Sequence, residues 1–265
     1  MSGRSSADQS SPGLAAAIAR AAQTPRLLVA SDFDGTLAPL VDHPALAVPD
    51  PLAVLALRRL AGMHGVCAAI ISGRPRASLQ TLLAEIGPKL VLIGSHGAES
   101  PWGTEMPAHE FDLDAALSIA DEGVRQLPGS WVERKPAGIA WHFRACEPIA
   151  VDAALTVVMS RFSQVRGGQI LLGHQVLECM RQGVSKAVAF QSLRRHIAPG
   201  CSLFFGDDEP DAEVFAALAP GDVGVAVGAP RPGARWTVPS PSDVAHVLQQ
   251  LADERARWTR NRPYR

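Results

Sequence analysis

A chain of 265 residues, 47% of them hydrophobic, is long enough for one large domain or two modest ones and can bury a real core. Only 19% of residues are charged and the formal net charge is -1, which leaves no electrostatic footprint for nucleic acid or an anionic membrane surface. None of the four cysteines (Cys67, Cys146, Cys179 and Cys201) sits in a Cys-x-x-Cys pair and three lie in apolar runs, so they read as buried free thiols in a reducing compartment.

The start, "MSGRSSADQSSPG", is small and polar, and residues 1–24 are expected to be a disordered tail. "LAAAIARAA" within it is interrupted by Arg20, a poor signal-peptide core. No later apolar stretch is long enough to span a bilayer, so the expectation is a cytoplasmic protein without a membrane partner. From Arg26 the chain alternates. "RLLVASDFDG" reads as a buried strand, "PDPLAVLALRRLAGMHG" as a helix and "VCAAIISGR" as a second strand. "PRASLQTLLAEIG" is a helix with Pro75 near its first turn and Gly87 past its end, and "LVLIGSHGAE" a third strand. This alternation predicts a parallel sheet with helical crossovers. The texture then changes to helix, hairpin, helix, hairpin. The hairpins turn at Pro136-Ala137-Gly138 and at Gly173-His174, which suggests an inserted α+β domain over residues 105–184. The first pattern returns with "SKAVAFQSLRRHIA" (helix), "CSLFFGDDE" (strand), "PDAEVFAAL" (helix), "VGVAVG" (strand) and a closing helix, "PSDVAHVLQQLADERARW".

In open parallel sheets, ligands bind beyond the carboxyl ends of the strands. Four strands here end in polar groups: Asp32 and Asp34, then Ser72-Gly73-Arg74, then Ser95-His96-Gly97, then Gly206-Asp207-Asp208. The carboxylates Asp32, Asp34, Asp207 and Asp208 need a cation to sit together, and an all-oxygen set of this kind suits Mg²⁺. Arg74, Arg76 and Lys186 stand in the first turns of helices, against the helix dipole, a placement that an anion would reconcile. Together these features describe a phosphate site. An EF-hand loop is rejected, because the twelfth position from Asp32 is His43 rather than Glu. An Asp-x-Asp pair also holds the metal of nucleotide-sugar glycosyltransferases, but the Gly-Thr that follows and the three later strand ends disfavour that. Asp211 stays open between a site role and the commoner one of an acid at a helix N-terminus. His43, His64, His174 and His246 read as structural or surface residues.

In that order "DFDGT", "SGR", a lysine opening a helix and "GDD" resemble the haloacid dehalogenase (HAD) superfamily of phosphohydrolases. "DFDGTLAPLVDHP", "GSHGAE", "VERKPAGIAWHFR", "LECMRQGVSK" and "GDDEPDAEVF" are similar to the trehalose-phosphatase family within it, over nearly all the chain from Leu27. "DFDGT" alone marks the superfamily; "GSHGAE" and "ERK…HFR" are far narrower. The resemblance implies an α/β fold: a HAD-like Rossmannoid parallel sheet formed by residues 25–104 and 185–265, with a C2B-type α+β cap between them. It implies a Mg²⁺-dependent phosphatase that acts on a small-molecule sugar phosphate, trehalose 6-phosphate, through an aspartyl phosphate. It also implies a monomer coupled in function to the synthase of that sugar phosphate. Asp32 would be the nucleophile and Asp34 the general acid and base. Gly35, Thr36, Ser72, Gly73, Arg74 and Lys186 would hold the phosphoryl group, and Asp32, Asp34 (through its backbone carbonyl), Asp207 and Asp208 the metal. The cap would choose the sugar through Glu133, Lys135, His142, Arg144 and Glu178, with His96 beside them. Three positions depart from the family pattern: Met180-Arg181 replaces Arg-Pro, Ala187 replaces the glycine after the lysine, and Pro210-Asp211-Ala212 replaces Thr-Asp-Glu. The change near Met180 leaves the sugar open between trehalose and another trehalose-like disaccharide. A non-catalytic sugar-phosphate sensor is disfavoured by the intact set Asp32, Asp34, Lys186 and Asp207.

Overall fold

The computed structural model describes residues 12–102, 110–173 and 175–261. His174 of the second hairpin and the expected boundary at 104/105 lie outside the described residues. Six parallel strands form the core sheet: β1 (Leu27–Ser31), β2 (Val66–Ile71), β3 (Val91–Ile93), β8 (Cys201–Gly206), β9 (Val223–Val227) and β10 (Trp236–Val238). Their order is β10-β9-β8-β1-β2-β3. β1 is therefore central, with Ser31 level with Ile70 of β2 and Phe205 of β8.

The strands read as unbroken apolar runs because both faces are covered. Leu27, Val29, Leu203 and Phe205 pack against α1 (Pro12–Ala22), α2 (Pro51–Gly62) and α8 (Pro241–Arg260). Leu28, Ala30 and Phe204 pack the other way, against α6 (Lys186–Ile197) and α7 (Glu209–Ala216). A Leu→Ala change in either layer would cost about 2–5 kcal/mol.

The expected tail is corrected over residues 12–22, which form α1; residues 1–11 lie outside the described residues. Leu14, Ala17, Ile18 and Ala21 form a buried stripe at helical spacing, and Arg20 points to solvent. α1 lies on α8 and is held there by Arg255, 1% exposed, whose guanidinium donates to the carbonyls of Ala22, Thr24, Pro25 and His64. A cation is favourable at the carbonyl end of a helix.

The inserted unit has two helices, α4 (Leu113–Gln126) and α5 (Pro148–Phe162), on one face of an antiparallel sheet. That sheet comprises β4 (Trp131–Lys135), β5 (Gly138–His142), β6 (Gly168–Gly173) and β7 (Val176–Arg181), in the order β4-β5-β7-β6. Ile139, Trp141, Leu177 and Cys179 fill the helix-covered face. The indole N–H of Trp141 donates to Ser130 Oγ at 3.0 Å, which satisfies its one polar atom. The register pairs Glu133 with Ala140 and Ala140 with Glu178, so Glu133, Lys135, His142 and Glu178 share the opposite face, which looks toward the core sheet. Met180 is on this face too, but it is buried against Ala98, Ala137 and Val184, so the departure there is a packing change between cap and core.

Candidate active site

Asp32 follows the central strand directly, between the ends of β2 and β8. It is buried, and its carboxylate meets Lys186 Nζ at 2.8 Å. Lys186 opens α6 behind the N-cap Ser185 and reaches Asp211 Oδ1, also at 2.8 Å. Burial alone would lower the lysine's pKa, but Asp211 and Asp32 more than offset it and hold it firmly protonated. Burial pushes the Asp32 carboxyl well above the usual range, against the pull of Lys186. Burial and the Asp211 charge push Asp207 up to about 7.

Asp32, Asp207 and Asp211 bring carboxylate oxygens within 4.8 Å of one another. This crowded all-oxygen set fits a hard divalent cation such as Mg²⁺. It shares Asp32 and Asp207 with the expected ligands and adds Asp211. Asp208 stands outside the three; its carboxylate caps α7 by accepting Glu209 N–H at 2.8 Å. Asp211, the third residue of α7, returns the capping box and accepts the N–H groups of Asp207 and Asp208 at 3.1 Å each. It therefore orients Lys186 and Asp207 together. The signal for it was in the sequence: an acid three residues after an N-cap aspartate.

Several residues expected at the phosphate have partners within the protein. Arg74 holds Asp34 in a two-bond fork, Nε to Oδ2 and Nη2 to Oδ1 at 2.6 Å each. Its third bond goes to Pro44 O at 2.8 Å. Arg74 thus ties the second aspartate to the Pro44 carbonyl while it lines the cleft. Gly35 N–H is likewise taken by Ala38 O at 2.8 Å. The need for glycine at 35 is steric. Its φ is +75°, and a Cβ would lie 2.0 Å from Asp207 Oδ2. Thr36 is fully buried and donates to Asp207 Oδ1 at 3.1 Å. Ser72 Oγ accepts Arg74 N–H at 3.2 Å, which leaves the hydroxyl hydrogen to donate into the cleft.

The cap face closes over this floor. Glu178 accepts from Lys135 of the cap and lies 2.5 Å from His96 of the core. Burial alone would raise its pKa, but the neighbouring His96 and Lys135 hold it well below normal. Lys135 also donates to Gly73 O at 2.9 Å, a second tie from cap to core. His96 reaches inward because Ser95 and His96 both adopt left-handed backbone, φ +48° and +54°. The strain is held by Ser95 N–H to Arg74 O at 2.8 Å, His96 N–H to Ser72 O at 2.9 Å, and Ser95 Oγ to Glu99 at 2.8 Å. A Cβ on Gly73 would lie 2.7 Å from the His96 ring, so that glycine makes room for the histidine. Glu133 bonds His142 at 3.0 Å, and Arg144 donates to Val41 O. One cleft is lined at its floor by Asp32, Asp34, Ser72, Lys186 and Asp207, and at its roof by Glu133, Lys135, His142 and Glu178. It offers a buried carboxyl group paired with a buried ammonium, a second carboxyl beside it, and above them a set of mixed donors and acceptors.

A family model described as trehalose-phosphatase matches residues 30–237. A trehalose-phosphate phosphatase of Mycobacterium marinum is 32% identical over 252 residues, covering 87% of this chain and 62% of that protein. A bifunctional trehalose-6-phosphate synthase/phosphatase of Thermoproteus tenax is 30% identical over 238 residues, covering 87% of this chain and 32% of that protein. The chain therefore spans less than two thirds of the length of either relative. Among solved structures, the C-terminal domain of Candida albicans trehalose-6-phosphate phosphatase superposes with a TM-score of 0.79 at 22% identity, covering 95% of this chain and 99% of that one. The sucrose-phosphatase of Synechocystis gives 0.58 at 20% identity, covering 84% and 98%. At these identities the two structures establish a shared fold.

Proposed function

The chain belongs to the trehalose-phosphatase family, and from that membership we propose that it hydrolyses trehalose 6-phosphate to trehalose and inorganic phosphate with Mg²⁺. One observation carries the reading: a single cleft joins the Asp32/Asp34/Lys186/Asp207 floor to the Glu133/Lys135/His142/Glu178 roof. A phosphate ester of a polyhydroxylated molecule needs both ends.

Asp32 attacks phosphorus, and a new O–P bond forms as the bond to the sugar oxygen breaks. Asp34 gives its proton to the departing oxygen. A water then attacks the aspartyl phosphate while Asp34 takes its proton, which releases phosphate and restores Asp32. Lys186 and Ser72 hold the phosphoryl oxygens as charge spreads over them. Asp32 and Asp207, with the Asp34 carbonyl, would hold Mg²⁺; when bound, the ion neutralises the repulsion between an attacking carboxylate and a phosphate dianion. Asp211 keeps Lys186 and Asp207 in place.

Among the described residues, no helix is long and apolar enough to cross a membrane. A cytoplasmic setting and a functional link to the synthase belong to the same proposal; the link is supported by a relative whose name joins both activities. The test is phosphate release from trehalose 6-phosphate, sucrose 6-phosphate and glucose 6-phosphate, each with Mg²⁺ and with excess chelator. Trehalose 6-phosphate is expected to have the highest kcat/KM. Equal rates on all three would remove the disaccharide assignment, and undiminished rates in chelator would remove the metal.

A further inference from the structure

Asp207 follows β8, and three separate groups fix it. Thr36 donates to its carboxylate oxygen Oδ1 at 3.1 Å, and Asp211 accepts its N–H at 3.1 Å. The third group stands outside the cleft lining: Arg231 Nε donates to the Asp207 carbonyl at 2.8 Å. With N–H and C=O both held, the Asp207 backbone has little freedom to turn, and Thr36 then sets the carboxylate. Arg231 belongs to the loop between β9 and β10, in the stretch "APRPG", to which sequence reading gave no role. Pro230 and Pro232 fix their own φ, and each restricts the residue before it, so Ala229 and Arg231 are pushed toward extended backbone. The loop closes through Ala234 N–H to Arg231 O at 3.1 Å. It also presses on α7, the helix that carries Asp211. Gly233 has φ +83°, and a Cβ there would lie 2.9 Å from the carbonyl carbon of Phe215. A stiff loop packed on α7 thus presents a half-buried guanidinium to one backbone carbonyl. By charge alone that is a poor place for it, because a positive group beside a cation site repels the ion.

We infer that Arg231 is a positioning residue for the metal site: by holding the Asp207 carbonyl it keeps the Asp207 carboxylate beside that of Asp32. This inference rests on Asp207 as a Mg²⁺ ligand, proposed above. Partners that orient a metal's ligands typically carry tenfold to a hundredfold of its affinity. Arg231 acts through the backbone rather than on the carboxylate, so the low end applies, roughly tenfold. Loss of its charge works the other way, since the ion then meets less repulsion. Orientation and charge therefore have opposite signs in a metal titration.

Arg231→Met keeps most of the side-chain length and removes every donor. Arg231→Gln also removes the charge, but its amide N–H stands at the same distance along the side chain as Nε–H. Two Mg²⁺ titrations of the full chain read the site: the rise in Tm, and the rate on p-nitrophenyl phosphate. Arg231→Met is expected to raise the midpoint of both roughly tenfold, with the rate at saturating Mg²⁺ falling by a smaller factor. Arg231→Gln should stay within about threefold of the wild-type midpoint. An unchanged midpoint in Arg231→Met, a lowered midpoint in both variants, or Arg231→Gln as weak as Arg231→Met would each overturn the inference. If Arg231→Met does not fold, Arg231→Gln decides alone: a midpoint near wild type upholds the donor role, and one lowered or raised about tenfold removes it. A wild-type chain that responds to Mg²⁺ in neither titration removes the metal reading and this inference with it. A wild-type response that Arg231→Met leaves unchanged removes this inference alone.

Discussion

Glu178 joins the two halves of the molecule, so its removal should be felt in stability, pH response and specificity together. The Glu178→Ala change strips the shared anion from Lys135 and His96, which are 8% and 6% exposed. Leaving one side of a buried ion pair uncompensated costs about 3–5 kcal/mol. Lys135 keeps its bond to Gly73 O, which places the expected cost at the low end, about 3 kcal/mol. For a chain of this size that lowers Tm by roughly 6–12 °C. Glu178→Gln keeps the shape and one acceptor and should fall less. The pH dependence follows from the direction of the shift. The folded pKa of Glu178 lies below its ordinary 4.5, so the unfolded chain takes up the proton first as pH drops. The stabilisation is complete above that ordinary value and is lost as pH falls from it toward the folded pKa, where wild-type and Glu178→Gln melting curves should converge. Well below Tm, kcat/KM for trehalose 6-phosphate should fall by about 1–3 kcal/mol, roughly 5–150-fold. Turnover of p-nitrophenyl phosphate, which has no sugar to hold, should change by less than about threefold. A Tm within about 2 °C of wild type would refute the buried-pair reasoning. Equal loss on both substrates would make Glu178 a folding residue and remove it from the sugar site.

Asp32→Asn keeps size and removes the attacking charge, so phosphate release should fall by several orders of magnitude with the circular dichroism spectrum unchanged; near-normal turnover would end the covalent-aspartate mechanism. Chelation should abolish activity and added Mg²⁺ restore it, while Ca²⁺ should inhibit because its looser coordination spoils the attack geometry; full turnover in excess chelator would refute the site. Asp211→Ala removes a buried partner of Lys186 and half of a capping box, so urea denaturation should show a loss of about 3–5 kcal/mol together with a large fall in kcat. A stable and fully active Asp211→Ala protein would return that residue to an ordinary helix cap.

Local sequence determined the strands, the helices between them and which strand ends carry chemistry. Strands covered by helices on both faces appear as continuous apolar runs, and a parallel sheet with helical crossovers delivers all their carboxyl ends to one edge. That is why Asp32, Ser72, His96 and Asp207 could be gathered onto one edge from segments far apart in the chain. The two-residue period of β4 and β5 likewise placed Glu133 and Lys135 on one face and His142 on one face of its own strand.

Partner choice was decided by tertiary structure. Helix α1 is amphipathic over only five small or aliphatic positions, and its burial depends on α8 and on Arg255 from the far end of the chain, so the segment alone looked like part of a tail. Asp208 and Asp211 both precede or open one helix; the fold turns one to cap it and the other toward Lys186. Arg74 reads as an anion ligand by position, and the fold brings it a carboxylate from another strand end as well. His43 had no periodicity to betray it and gains its neighbour only when the cap sheet brings Trp131 over it. Spacing along a chain reports which face of a strand or helix a residue occupies. Which charge or ring it meets there is set by how sheets and cap dock, because pair energies fall off over a few ångströms and those distances exist only in the folded chain.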